Sequence, residues 1–255
     1  MIYIAFFVFT FFVLWIAFYQ WQYFMVFSPT YYRSDDFDAN DFEILSIITD
    51  DGVELEGVIY EPWNATQTLL VFGGRNHDSV GLIKKLSQAY PKVTIVTFNY
   101  RSYGKSQGKA SEKNLLNDSL KIAELLQKNY GDFSVLGFSL GANIATYLAS
   151  KHPVQRLFLI GAFDSLAAVV KNKIGFHLRL RYTFDTLAYM KNVAAPTYLF
   201  ASRSDEVIHI ENTRTIKPFV RFLVHYEEFE AISHEKLLFE AKIVQRINKA
   251  LHEGI

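Results

Sequence analysis

Phe133-Ser134-Val135-Leu136-Gly137-Phe138-Ser139-Leu140-Gly141-Ala142-Asn143-Ile144-Ala145 passes from an apolar run through a serine flanked by glycines into a segment of small residues. Residues 133–137 form an apolar run of strand length, and Leu140–Lys151 has helical spacing with small residues at Gly141, Ala142 and Ala145. The stretch therefore reads as strand, abrupt turn and helix. Gly137 and Gly141 let the backbone turn sharply enough to present the Ser139 hydroxyl at the end of a sheet, where the helix N-terminus adds partial positive charge.

Moving outward, short apolar runs alternate with helical patterns. Strands are predicted at Thr68–Phe72, 93–98, 133–137, 155–160, 197–201 and 221–229, and helices at 80–89, Glu112–Tyr130, Leu140–Lys151, 210–217 and 235–251. Residues 43–49 and 53–60, joined by Asp50-Asp51-Gly52, read as an antiparallel hairpin that opens the sheet. Continuous rather than alternating apolar strands imply a sheet covered on both faces, so the fold class is α/β with a mostly parallel sheet of eight strands. Only 163–190 breaks the alternation, and it reads as a small lid over an open pocket.

Bulk properties restrict function by exclusion. Half of the 255 residues are apolar, enough for one domain with a substantial core. Lys plus Arg (26) balances Asp plus Glu (26), so the basic field that nucleic-acid binding needs is missing. The absence of cysteine removes thiolate catalysis, disulfides and cysteine zinc sites, and no cofactor or metal site is read elsewhere. A nucleophile must then be a hydroxyl.

The N-terminal region has a different character. Met1 through Tyr19 carries no charge, and Trp21 and Tyr23 follow it. About 20 apolar residues span a ~30 Å hydrocarbon layer, with Trp and Tyr suited to its edge, so residues 1–27 read as a transmembrane anchor. A secretory signal is the rival, but it would carry a basic start and a small-residue cleavage pattern, and neither is present. Residues 28–41 read as a polar linker and 42–255 as the catalytic domain. Asp35-Asp36-Phe37-Asp38-Ala39-Asn40-Asp41 lacks the central glycine and terminal glutamate of a calcium loop. No Lys or Arg precedes the span and Arg33 is the first to follow, so positive-inside counting has little to act on. The short uncharged N-terminus sets the expectation of a domain on the non-cytoplasmic side.

Acyl transfer needs a nucleophile, a base, a group to orient the base, and N–H donors for the developing oxyanion. With Ser139 as nucleophile, an acid and a histidine should follow in that order after later strands. Asp205, after the 197–201 strand, and His234, after the last strand, comply. Glu206 and Asp164 are the alternative acids; His209 falls too early, His225 lies within a strand and His252 in the final helix. The oxyanion donors are expected to be the N–H of Leu140 and one from Gly73-Gly74-Arg75, with Arg75 favoured and Gly74 as fallback. His77 precedes the nucleophile and reads as a polar loop residue.

With these residues in place, the chain resembles the α/β-hydrolase superfamily, and within it a subgroup of N-terminally membrane-anchored hydrolases with small lids. Asn99-Tyr100-Arg101-Ser102-Tyr103-Gly104-Lys105-Ser106-Gln107-Gly108 is similar to that subgroup's DYRGYGKSxG stretch, and Phe184-Asp185-Thr186-Leu187, Ala195-Pro196 and Asp205-Glu206-Val207 also match. The chain departs from the pattern at Asn99, at Ser102, and at Gly73-Gly74, where the subgroup usually has Asp, Gly and His-Gly. The resemblance implies a carboxylesterase, lipase or thioesterase acting on small-molecule or lipid-linked acyl groups within reach of a membrane. A peptidase using the same machinery, or a non-catalytic lipid-binding or scaffolding module, are the alternatives.

Overall fold

The computed structural model describes residues 2–33 and 37–253. Met1, residues 34–36 and residues 254–255 lie outside that description, and with them the part of the expected linker that carries Asp35 and Asp36. The chain begins with α1 (Ile2–Val26), then forms the hairpin β1 (Glu43–Ile48) and β2 (Glu54–Tyr60). It continues through β3 (Thr68–Phe72), α2 (Ile83–Ala89), β4 (Thr94–Phe98), α3 (Glu112–Tyr130), β5 (Ser134–Phe138), α4 (Leu140–Lys151) and β6 (Leu157–Ile160). After α5 (Leu166–Ile174) and α6 (Thr186–Met190) come β7 (Thr197–Ser202), α7 (Ile210–Ile216), β8 (Leu223–Phe229), α8 (His234–Leu237) and α9 (Ala241–His252).

The eight strands form one sheet in the order β1-β2-β4-β3-β5-β6-β7-β8, antiparallel at β1/β2 and β2/β4 and parallel from β4 onward. Side chains of successive strand residues point to opposite faces. In β3, Leu70 and Phe72 accordingly join the core beneath α3 and α4, while Leu69 and Val71 join the one beneath α2 and α9. Two cores fed by every central strand explain why the strands read as unbroken apolar runs.

Two predicted helices are interrupted. A 3-10 turn at Val80–Leu82 precedes α2, and the expected helix 235–251 is broken between α8 and α9. Leu237 and Leu238 are buried, as are Ile243, Ile247 and Leu251. A continuous helix would place Lys242 four residues after Leu238, on the same face; the turn shifts the phase so that the isoleucines face the core instead.

By length and composition Tyr3–Val26 is long and apolar enough to cross a membrane, with mean hydropathy 1.9 over its best window. Its last turn does not extend into solvent. Tyr23, Val26 and Phe27 are buried, with the Phe27 ring 5.0 Å from that of Tyr182 and 6.1 Å from that of Phe184. Residues 28–33, expected to open a linker, lie along the domain: Ser28 N–H donates to Tyr103 Oη at 2.9 Å, Gly104 N–H to Thr30 O at 2.9 Å and Tyr32 N–H to Asp78 Oδ2 at 2.9 Å. Arg33 pairs with both Glu56 and Asp78.

Candidate active site

The C-terminal ends of parallel strands face one crevice in folds of this kind. Here the loop after β3 carries Gly73-Gly74-Arg75, β5 leads into Ser139, β7 into Asp205, and β8 into His234. The three most separated of these positions in sequence are thus brought to one end of the sheet by topology alone.

Ser139 occupies the junction of β5 and α4 with φ 54° and ψ −118°, a conformation that costs a non-glycine residue about 1–3 kcal/mol. The surroundings impose it. Ser139 N–H is held by Ile160 O at 2.9 Å, and Ser139 O accepts from Ala142 N–H at 2.9 Å as the helix begins. A Cβ at Gly137 would overlap Gly141 O, and one at Gly141 would overlap the carbonyl oxygen of Phe72, so both glycines are needed for β5, α4 and β3 to approach.

Beside the elbow, His234 Nδ1 lies 2.7 Å from Asp205 Oδ2, in a pair whose side chains are 4% and 1% exposed. The other oxygen, Asp205 Oδ1, accepts from Val207 N–H at 2.8 Å and Ile208 N–H at 2.7 Å, which fixes the carboxylate plane. The His234 ring rests against the Phe138 ring at 4.8 Å, one residue from Ser139, and over Gly161, where a Cβ would come within 3.3 Å of the imidazole. Ser139, Asp205 and His234 are all buried.

The alternative acids and histidines are engaged elsewhere. Glu206 Oε2 accepts the backbone N–H of His234 at 3.1 Å, and Asp164 Oδ1 accepts from Asn212 Nδ2 at 2.8 Å. His209 caps α7, His225 sits 3.0 Å from Glu227, and His252 is exposed at the end of α9. Asp205 is not the helix cap, since α7 starts five residues later, at Ile210, with His209 as its cap.

At the loop after β3, Gly74 N–H donates to His77 Nδ1 at 3.1 Å. Among the described residues the N–H groups of Arg75 and Leu140 have no acceptor. That leaves the favoured pair of oxyanion donors available and takes up the fallback. Arg75 is also the contact with the N-terminal helix: its guanidinium reaches Met25 O, while its carbonyl accepts from Tyr103 Oη at 2.5 Å and from Ser28 N–H at 3.3 Å.

Departures from the resembled pattern have local causes. Asn99 donates through Nδ2 to Glu56 Oε2 at 2.9 Å and to Asp78 Oδ1 at 2.8 Å, while its Oδ1 accepts from Ser79 N–H at 2.7 Å. An aspartate there would face two carboxylates with nothing to donate. Arg101 is paired bidentately with Asp118, at 2.8 and 2.7 Å, and with Asp51, at 2.6 and 2.7 Å, tying the β1–β2 turn to α3. Burial pushes the Asp118 carboxyl up even beside that guanidinium. The sequence reading set His77 aside as a polar loop residue and quoted Tyr103 only as part of the matched stretch; the repeated Tyr100/Tyr103 of that stretch and the adjacency of Glu235 to His234 are the signals that point to their contacts.

Comparison with known proteins places these features. A family model described as the alpha/beta hydrolase fold matches residues 67–189, which include the loop after β3, the turn between β5 and α4, and most of the segment 163–190. The lysophosphatidylserine lipase ABHD12 of Danio rerio is 30% identical over 125 residues, 46% of this chain and 32% of that protein. An uncharacterised membrane protein of Saccharomyces cerevisiae is 31% identical over 117 residues, 43% of this chain and 41% of the other. Both matches cover less than half of the relative's own length. Among solved structures, the Pyrococcus furiosus esterase Pf2001 superposes with a TM-score of 0.68 at 18% identity, covering 87% of this chain and 97% of the esterase, a likeness of fold.

Proposed function

For a chain that has the α/β-hydrolase fold, we propose the activity of a serine hydrolase that cleaves carboxylic ester or thioester bonds of lipid-like or membrane-associated acyl substrates through an acyl-enzyme on Ser139. The backbone at Ser139 is the observation that carries this proposal: a serine of positive φ at the end of β5, one residue from the Phe138 ring that packs 4.8 Å from the imidazole of His234, whose Nδ1 meets a buried carboxylate. Strain of that kind at a hydroxyl side chain fits a nucleophile presented at a sharp strand-to-helix turn better than an ordinary turn serine. The names of the lipase and esterase relatives support the class of bond.

In the proposed cycle Ser139 Oγ attacks the acyl carbonyl carbon while its proton passes to His234 Nε2. Asp205 holds Nδ1–H, so the neutral ring presents an acceptor at Nε2 and the imidazolium that forms is stabilised. The carbonyl oxygen becomes an anion facing the N–H groups of Leu140 and Arg75. Collapse expels the alcohol or thiol with the proton from His234. Water, deprotonated by His234, then attacks the acyl-enzyme, and Ser139 Oγ recovers the proton as the carboxylic acid leaves.

The apolar helix α1 is proposed as the membrane anchor, supported by its length, its freedom from charge and its exposed side chains. Fluorophosphonate labelling tests the nucleophile: labelling of the native protein and none of Ser139→Ala is expected, and equal labelling of both overturns the proposal. Carbonate extraction of membranes tests the anchor; release of the full chain into the supernatant refutes it.

A further inference from the structure

His234 and Glu235 are neighbours in α8, yet each belongs to a different carboxylate–imidazole pair. While His234 meets Asp205, Glu235 Oε2 lies 3.3 Å from Nε2 of His77, across to the loop after β3, and Glu235 Oε1 accepts from Asn76 Nδ2 at 3.3 Å. The hydrogen bond to His77 draws the Glu235 carboxyl down to about 2. On the far side of the same ring, Nδ1 accepts the Gly74 N–H at 3.1 Å, and the backbone closes the turn a second time through His77 N–H to Gly74 O at 3.2 Å. The His77 ring stacks on Phe138, with centroids 5.3 Å apart and planes 9° apart. The same phenylalanine ring also packs against that of His234, with centroids 4.8 Å apart.

This bonding pattern specifies a protonation state. Nδ1 accepts only in a neutral imidazole with its proton on Nε2, and the Glu235 carboxylate is placed to hold that proton there. The turn 74–77 then has a fixed shape. Gly74 N–H is consumed inside it and Arg75 N–H is left as the loop's donor. A Cβ on Gly73 would press on Ser79 Oγ at 2.8 Å and His77 Cβ at 3.1 Å, so the loop also has little room to relax.

We infer that His77, held by Glu235, is a positioning residue that sets the β3 loop so that the Arg75 N–H meets the oxyanion, and that protonation of His77 undoes this setting. The inference rests on Ser139 being the acylated nucleophile. An imidazolium has no lone pair at Nδ1, so it faces the Gly74 N–H as one donor against another, and the side-chain closure of the turn is lost. The charged and titratable groups around His77 are Glu235 from α8, Arg75 from its own loop, and His234 beyond Phe138.

The test uses the full chain in detergent micelles, with kcat and KM for a water-soluble p-nitrophenyl ester followed from pH 5 to 9 and amide hydrogen exchange measured for the peptide spanning 72–78. His77→Ala is expected to lower kcat about tenfold, less than the ~10²–10³ that outright loss of an oxyanion donor costs, with KM changed by less than about twofold. The same variant should exchange faster at 72–78. His77→Asn puts an acceptor where Nδ1 stands but does not titrate, so it should keep kcat within about threefold at pH 8. Because the amide cannot take up a proton, the variant's kcat should fall less steeply than that of the wild type as the pH is lowered. Labelled wild-type protein whose His77→Ala variant keeps full kcat and unchanged exchange overturns the role of His77 alone. Wild-type protein in which Ser139 takes no label overturns the nucleophile and this role with it.

Discussion

Replacing Asp205 by asparagine tests how the imidazole is oriented, and the structure dictates how the amide must sit. Asp205 Oδ1 accepts two backbone N–H groups, from Val207 and Ile208, and Oδ2 faces His234 Nδ1 at 2.7 Å. An asparagine can keep its carbonyl on the two N–H donors, or turn over and present its amide group to them. Turning leaves two buried donors unpaired, at about 1–3 kcal/mol each, so the first orientation dominates by roughly thirtyfold or more. In that orientation Nδ2–H points at His234 Nδ1, which must become an acceptor, and the ring carries its proton on Nε2. The atom that should take the Ser139 proton is then already protonated. Loss of the competent tautomer, together with loss of the carboxylate that stabilises the imidazolium, places the expected fall in kcat/KM near 10⁴-fold, or about 5 kcal/mol of barrier. Steady-state hydrolysis of a p-nitrophenyl ester by the full-length variant measures it, with Asp164→Asn as a companion expected to stay within about threefold of wild type. Asp205→Asn retaining more than a tenth of wild-type kcat/KM refutes the assignment of Asp205 as the orienting group.

Three further outcomes are expected. Asn99→Asp removes both donors that Glu56 and Asp78 share at this buried site and should cost about 3 kcal/mol, a fall in Tm of ~6–12 °C; an unchanged melting curve sinks the explanation of that departure. Phe27→Ala empties a fully buried position between Tyr23, Tyr182 and Phe184 and should destabilise by about 3–5 kcal/mol, read as faster limited proteolysis within 28–33 and the lid. The Glu56 carboxyl is buried, which alone would raise its pKa, but the Lys105 N–H, Arg33 and Asn99 outweigh burial and hold it below its ordinary value. Its contribution to stability is therefore complete above the unfolded pKa of about 4.3 and is lost as pH falls through the lower folded value. Denaturant midpoints for wild type and Glu56→Gln should converge on acidification, and a constant gap between them excludes the linkage.

The sheet and the Ser139, Asp205, His234 order were legible because each depends on local pattern: apolar runs of strand length, two glycines around a serine, and acid and histidine placed after successive strands. What remained hidden depends on contacts distant in sequence. His77 was set aside for preceding the nucleophile, and its partner Glu235 lies 158 positions away. Residues 28–33 are polar enough to read as linker, but their backbone is bonded to Tyr103, Gly104 and Asp78. The break between α8 and α9 was visible only in phase, since the run 235–251 has no glycine or proline to mark it.

The loop after β3 is where these hidden contacts converge. Its sequence lacks the His-Gly that the resembled subgroup usually has, and three separate parts of the chain hold it instead. Glu235 acts on it through His77, Tyr103 through the Arg75 carbonyl, and the end of α1 with the segment after it through the Arg75 guanidinium, held by Met25 O, and the Arg75 carbonyl, held by Ser28 N–H. Because Arg75 supplies both the contact with α1 and the N–H proposed for the oxyanion, the last turn of the apolar helix and the reaction centre share one residue. Removal of α1 is then more than loss of the proposed anchor. It strips Met25 O from the Arg75 guanidinium and leaves the segment that carries Ser28 without the helix that leads into it, so a form lacking α1 should lose turnover on water-soluble esters, where delivery of substrate by a bilayer plays no part.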